Sequence, residues 1–119
     1  MPESVEVIMG IIWIKSVGQV TADDLKGSRN AVKEICQQRG LTKILVDTTE
    51  LTKVVSLFAW FEHADILAKD EHFTKLKHAI IYSEQTVKEL LFLEKSAQRH
   101  GAQVRIFPKR EDALSWLMS

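Results

Sequence analysis

The sequence has few of the residues that mark secreted, nucleotide-binding or metal-binding proteins. It contains one cysteine and two prolines in 119 residues, and none of its five glycines lies within seven positions of another. A single cysteine cannot form an internal disulfide and suits a reducing compartment. Scattered glycines exclude the Gly-rich loops with which Rossmann and Walker motifs bind phosphate. We therefore expect a cytoplasmic protein without a standard nucleotide site.

Neither sign of charge dominates, and long apolar runs are missing. Sixteen basic and sixteen acidic residues give a formal net charge of zero. Nucleic acid is not an expected partner, because phosphate binding needs a positive patch. The apolar run Val7–Ile14 is too short to span a bilayer, and the N-terminus carries acids where a signal peptide carries bases. We expect no membrane insertion.

Motifs for catalysis and metal binding are also missing. The four histidines are scattered rather than placed at metal-ligand spacing. No Gly-x-Ser-x-Gly sequence supports a hydrolase nucleophile. The carboxylate pair Asp23 and Asp24 is explained by helix capping. The sequence thus predicts a protein that is not an enzyme and uses no metal or cofactor.

Apolar periodicity predicts one α/β domain over residues 1–119. Short apolar runs alternate with patterns of helical spacing in the order β-β-α-β-α-β-α-β-α, which favours a mixed, mostly parallel five-stranded sheet with about four helices. The first elements are a hairpin, or one long bent strand, turning near Gly10 and ending at Gly18, helix Ala22–Arg39 with a Thr21–Asp24 capping box, and strand Lys43–Asp47. A helix from about Ser56 to Lys69, strand His78–Tyr82 and a helix capped by Ser83 follow. The last elements are strand Gln103–Phe107, either near a sheet edge or with one wetter face, and a final helix after Pro108.

The stretch Lys43–Trp60 is the candidate site, because ligands and partners of open α/β sheets gather beyond the carboxyl ends of the strands. We expect function between Asp47 and Ser56. On the following helix, one predicted core stripe contains Leu57, Trp60, Phe61, Ala64, Leu67 and Ala68. A second apolar strip of Val55, Phe58 and Ile66 lies outside it. That strip is either a contact surface or is covered by loop packing.

Three segments carry a resemblance to a known family: Gly18–Leu25 entering the first helix, Ile44–Asp47 closing the central strand, and Val104–Phe107 with Ala113–Leu117 at the end. Together they resemble the STAS-like superfamily, the fold of bacterial anti-sigma factor antagonists. The chain is more similar to a small stand-alone branch related to CRAL-TRIO lipid-binding domains. The resemblance implies a regulatory binding module.

In anti-sigma factor antagonists the corresponding strand precedes an Asp-Ser-Ser-Gly turn whose serine is phosphorylated. The resemblance places Ser56 at the phosphorylatable position, with Thr52 nearby. Val55, Leu57 and Phe58 stand where that family has its Asp, second Ser and Gly. The alternative for Ser56 is an ordinary helix N-cap.

The leading expectation is a non-enzymatic module that binds a protein, with a second copy of the chain as one option. The expected binding residues are Asp47, Thr48, Thr52, Val55, Ser56, Phe58 and Ile66. Two alternatives stay open: a carrier of a small apolar or lipid-like ligand, as the CRAL-TRIO resemblance implies, and an anti-sigma factor antagonist regulated by phosphorylation of Ser56.

Overall fold

The computed structural model describes residues 2–54 and 56–119, and its centre is a five-stranded sheet. The strands lie in chain order, with β1 antiparallel to β2 and the other neighbours parallel. This confirms the predicted mixed, mostly parallel sheet, and strand Gln103–Phe107 lies at one border, which is the first of the two positions predicted for it. The strands are β1 Glu3–Ile8, β2 Ile11–Val20, β3 Lys43–Val54, β4 Lys77–Ile81 and β5 Gln103–Phe107.

Helices cover both faces of the sheet, but unequally. One face packs against three long helices, and only the last helix packs against the other. Neighbouring strand residues point to opposite faces, so Ile44 belongs to the larger core and Leu45 to the smaller. The helices are α1 Ala22–Arg39, α2 Leu57–Lys69, α3 Glu71–Thr74, α4 Val87–Arg99 and α5 Arg110–Leu117.

The four-residue helix α3 was not predicted. Asp70 begins it by accepting a hydrogen bond from the backbone of His72, and it carries Phe73 into the larger core, where the side chain is 1% exposed. A single turn is too short to show helical periodicity, which explains why the sequence pattern did not reveal it.

Strand β3 was predicted to end at Asp47, and that boundary is wrong. The strand continues to Val54, paired with β2 as far as Val20. The register shifts twice in this pairing, and Gly18 adopts a positive φ of 68° between the shifts rather than ending β2. These irregularities break the alternation of buried and exposed residues, so the sequence of the second half of β3 lacks the period-two pattern that predicts a strand.

The helix ends follow capping chemistry in one place and depart from it in another. Thr21 and Asp24 form the predicted capping box, with reciprocal hydrogen bonds of 2.8 and 3.2 Å. Ser83, predicted to cap α4, instead opens a turn that ends at Thr86. The side chain of Thr86 accepts a hydrogen bond from the Ser83 amide at 2.9 Å, and α4 begins only at Val87. Because Thr86 is buried, this turn is fixed to the core.

Candidate functional site

The predicted binding residues lie on both faces of the sheet rather than in one site. The Asp47 carboxylate accepts hydrogen bonds from the backbone and hydroxyl of Thr49, and it lies 3.8 Å from the Arg110 guanidinium of α5. Ser56 and Phe58 lie at the start of α2, against the opposite face. Asp47 therefore belongs to a separate polar surface beside α5.

Thr48 is buried and forms an internal connection. Its hydroxyl donates a hydrogen bond of 2.6 Å to the carbonyl of Ile81 and lies 3.1 Å from the hydroxyl of Thr86. These contacts join β3 to the end of β4 and to the turn that precedes α4. We assign Thr48 a structural role and leave it out of the proposed binding surface.

Replacing Thr48 with valine is expected to lower the free energy of unfolding by about 1–2 kcal/mol, because the buried hydrogen bonds are lost while the shape is kept. Urea denaturation measures this effect. Thr52→Val is the matched control, since Thr52 lies exposed on the same strand and should change stability by less than about 0.5 kcal/mol. Equal effects of the two substitutions would contradict the structural role of Thr48.

Ser56 is the N-cap of α2. Its hydroxyl accepts a hydrogen bond from the amide of Ala59 at 3.1 Å, and its carbonyl accepts one from Trp60. The N-cap interpretation of Ser56 is thus confirmed, and phosphorylation of this residue stays a prediction. Val55, the preceding predicted site residue, lies outside the described residues.

The outer faces of α2 and α4 carry an exposed apolar surface, which we call the α2/α4 patch. Phe58 is 77% exposed and Leu57 is 64% exposed. The rings of Phe61 and Phe92 meet edge to face at 5.1 Å and connect the two helices. Exposed apolar groups that cluster in this way mark interaction sites more often than scattered ones do. The patch consists of Leu57, Phe58, Phe61, Leu91 and Phe92.

Helix α2 is rotated relative to the predicted core stripe. Leu57 and Phe61 were predicted to be buried and are exposed, whereas Ile66, predicted for the outer strip, is half-buried against the core. The orientation of α2 is set by α1, which packs on the His63 side of α2. There the Arg29 guanidinium lies 2.7 Å from Nδ1 of His63. The neighbour of α2 on the other side, α4, leaves Phe61 only partly covered.

A cavity of about 280 Å³ opens beside the patch, where the end of β3 meets the starts of α2 and α4. Its volume is close to the lower end of the range for ligand pockets. A smaller interior cavity of about 50 Å³ shares several of its wall residues. The shared residues are Leu51, Val54, Trp60 and Leu90, and the larger cavity is also lined by Thr52, Gln85, Thr86 and Glu89.

Buried and half-buried polar groups beneath α1 and α2 were not predicted as a cluster. The Glu3 carboxylate accepts hydrogen bonds from the hydroxyls of Ser16 and Ser28. Burial, assisted by the nearby Arg29 charge, lowers the pKa of His63 to about 3. Burial lowers the pKa of His78 to about 4. Both imidazoles are therefore neutral at neutral pH, and Nδ1 of His63 accepts a hydrogen bond from Arg29.

Over residues 2–54 and 56–119, histidine, cysteine and carboxylate side chains form no group of three that could hold a metal ion. No helix in this part of the chain combines the length and apolar character needed to cross a membrane.

Several solved structures share the fold of this chain. The anti-sigma factor antagonist SpoIIAA in its unphosphorylated form matches with a TM-score of 0.65 and 11% identity, covering 98% of both chains. An anti-sigma factor antagonist from Mycobacterium paratuberculosis matches with 0.62 and 16%, covering 98% of this chain and 93% of its own. An uncharacterized protein with a SpoIIAA-like fold from Shewanella loihica PV-4 matches with 0.63 and 23%, covering 97% and 91%. At sequence identities of 11% to 23%, these structural matches establish the fold alone.

The sequence also matches a protein-family model, which shows the family of this chain. A search of curated proteins found no match. The SpoIIAA-like family matches residues 11–118, which is nearly the whole chain. This match and the solved structures confirm the predicted STAS-like, anti-sigma factor antagonist-like fold, whereas the relation to CRAL-TRIO domains stays an expectation. The chain therefore belongs to the SpoIIAA-like family.

Proposed function

We propose that this protein is a non-enzymatic regulatory module that binds a protein partner through the α2/α4 patch. The observation that carries the proposal is the concentration of exposed apolar side chains on two neighbouring helices. Of nine large exposed apolar residues in the described part of the chain, five belong to the patch. The fold of anti-sigma factor antagonists, proteins named for their action on other proteins, supports a protein as the partner.

The patch has the composition of a binding interface. Aromatic side chains are enriched at the centres of protein interfaces, where truncation of one anchor costs about 2–4 kcal/mol of binding free energy. Phe58 and Phe61 lie one helical turn apart on α2, and Phe92 extends the same surface onto α4. Exposed polar residues surround them, as at the rim of an interface. The polar residues that border the patch include Thr52, Glu62, Lys88, Glu89 and Lys95.

Photo-crosslinking tests this proposal. A benzophenone amino acid is introduced at Phe58, and the matched control carries it at Met9, which is 93% exposed at the β1–β2 turn. After irradiation in cells of the source organism, we expect a discrete adduct from position 58 and none from position 9. Mass spectrometry of the adduct identifies the partner. Equal crosslinking at both positions, or no adduct at either, would contradict the proposal.

A second candidate function is transport of a small apolar ligand, and the cavity beside the patch favours it. Its apolar walls adjoin an interior cavity through Trp60 and Leu90. Native mass spectrometry of the purified protein with added decanoic acid tests this candidate. A carrier retains one fatty acid per chain, and Leu90→Trp, which fills the cavity, abolishes retention. A spectrum of unliganded protein at every concentration of fatty acid would exclude it.

Phosphorylation of Ser56 would regulate the same surface. The residue immediately precedes Leu57 and Phe58, and a phosphoryl group there would add about two negative charges at the edge of an apolar interface. Binding of an apolar partner would weaken. Incubation with ATP and an extract of the source cells, followed by phosphopeptide mapping, tests the prediction. Persistent absence of phosphate from both Ser56 and Thr52 would exclude it.

A further inference from the structure

We propose that the partner of the α2/α4 patch is a second copy of this chain, which forms a symmetric dimer. The inference rests on the proposed function and goes further by naming the partner. Its basis is the distribution of charge around the patch. The exposed face of α2 carries two acids, Glu62 and Asp65, and one base, Lys69. The exposed face of α4 carries three bases, Lys88, Lys95 and Arg99, and one acid, Glu89.

These charges are largely free to pair with another molecule. Asp65 forms an exposed ion pair of 2.8 Å with Lys69 one helical turn away, and pairs of this kind contribute little to stability. Within residues 2–54 and 56–119, Glu62 and the three bases of α4 form no ion pair. The border on α2 is therefore net acidic and the border on α4 net basic, and neither has a strong partner within residues 2–54 and 56–119.

The helix geometry makes the two borders self-complementary. Both helices follow parallel strands and return across the same face, so they run in the same direction. The rings of Phe61 and Phe92 are 5.1 Å apart, so the two residues lie at similar heights along their helices. Because a helix rises 1.5 Å per residue, Glu62 and Asp65 then lie within about 5 Å, along the axis, of the level of Lys95.

A two-fold axis that runs parallel to the helices, in front of the patch and midway between α2 and α4, places α2 of one copy opposite α4 of the other. This arrangement makes each acidic border face a basic border twice, as an isologous interface requires. The aromatic residues of the two patches meet at the centre. The chain has zero formal net charge, so two copies do not repel each other at long range. An anionic membrane would attract α4 but repel α2, whereas a second copy complements both helices.

Charge reversal with mixing tests the dimer. We expect the wild-type chain to sediment as a dimer of 27.2 kDa, twice the 13.6 kDa of one chain. Variant one carries Glu62→Lys and Asp65→Lys, and variant two carries Lys88→Glu and Lys95→Glu. Each variant alone places like charges across the interface, so its dissociation constant should rise at least about tenfold. An equimolar mixture of the two should form a heterodimer.

Two controls distinguish loss of the dimer from loss of folding and from a general effect of added charge. Circular dichroism verifies that both variants are folded, and Met9→Asp, far from the patch, should leave the dimer unchanged. A wild-type chain that is monomeric up to its solubility limit, variants that dimerise as well as wild type, or a mixture that stays monomeric would overturn the proposal. So would a monomer that sediments with phosphatidylglycerol vesicles. If crosslinking at Phe58 then yields a different protein, the proposed function survives while the second copy is rejected.

Discussion

Replacing Phe58 with aspartate is expected to weaken binding of the protein partner at least about 100-fold. The substitution removes an apolar anchor and places a charge in a surface that becomes dry on binding. The free energy of unfolding should change by less than about 0.5 kcal/mol, because Phe58 is 77% exposed and an acid is favourable in the first turn of a helix. Sedimentation equilibrium measures the affinity if the partner is a second copy, and titration calorimetry does so for a different protein.

Met9→Asp is the matched control for this prediction. It makes the same apolar-to-acidic change at an exposed side chain of the β1–β2 turn, outside the patch. Affinity should be unchanged in this variant. An affinity loss of equal size in both variants would show that added negative charge, rather than loss of the anchor, weakens binding. An affinity unchanged by Phe58→Asp would remove α2 from the interface.

Lowering the pH from 7 to 5 is expected to reduce the free energy of unfolding by about 2 kcal/mol through His78 alone. In the unfolded chain this histidine takes up a proton as the pH falls through its ordinary value of 6.5. In the folded chain burial lowers its pKa to about 4, so the imidazole stays neutral at pH 5. The unfolded state thus binds more protons, and stability that is fully present above pH 6.5 is lost as the pH falls toward 4.

Urea denaturation at pH 7, 6 and 5 measures this effect. His78→Met keeps an apolar side chain in the core and should reduce the dependence of stability on pH by about one proton. His63 contributes in the same direction, since its pKa is lowered to about 3 and its neutral ring accepts from Arg29. The exposed His100 is the control position, and His100→Gln should leave most of the pH dependence in place. If stability of the His78→Met variant changed with pH as steeply as that of the wild type, burial of His78 would not be a cause of the pH dependence.

The order of elements could be predicted because each is specified by its local pattern. The capping box of α1 and the alternation in β5 depend on neighbours along the chain, and the structure agrees with both. The end of β3 could not be predicted in this way, because its second half follows the irregular register of β2. Pairing between strands that are distant in sequence decides that boundary.

The candidate site was predicted in part. The exposed position of Phe58 follows from the helical wheel, and the N-cap role of Ser56 from its residue type. The exposure of Leu57 and Phe61 could not be predicted from the helical wheel, because it depends on how α1 and α4 flank α2. The contribution of Phe92 required knowing which helices are neighbours. Asp47 and Thr48 were grouped by adjacency, although adjacent strand residues face opposite sides of the sheet.

The accessibility of the α2/α4 patch inside cells tests directly whether a partner covers it. Lys88→Cys, at the border of the patch where the apolar anchors stay intact, and, separately, Met9→Cys are introduced into a Cys36→Ala background and treated with a membrane-permeable maleimide in the source organism. We predict slow labelling of the cysteine at position 88 in cells and fast labelling after the protein is purified and diluted, with fast labelling at position 9 in both states. Fast labelling at position 88 in cells would show that no partner covers the α2/α4 patch and would contradict the proposed function.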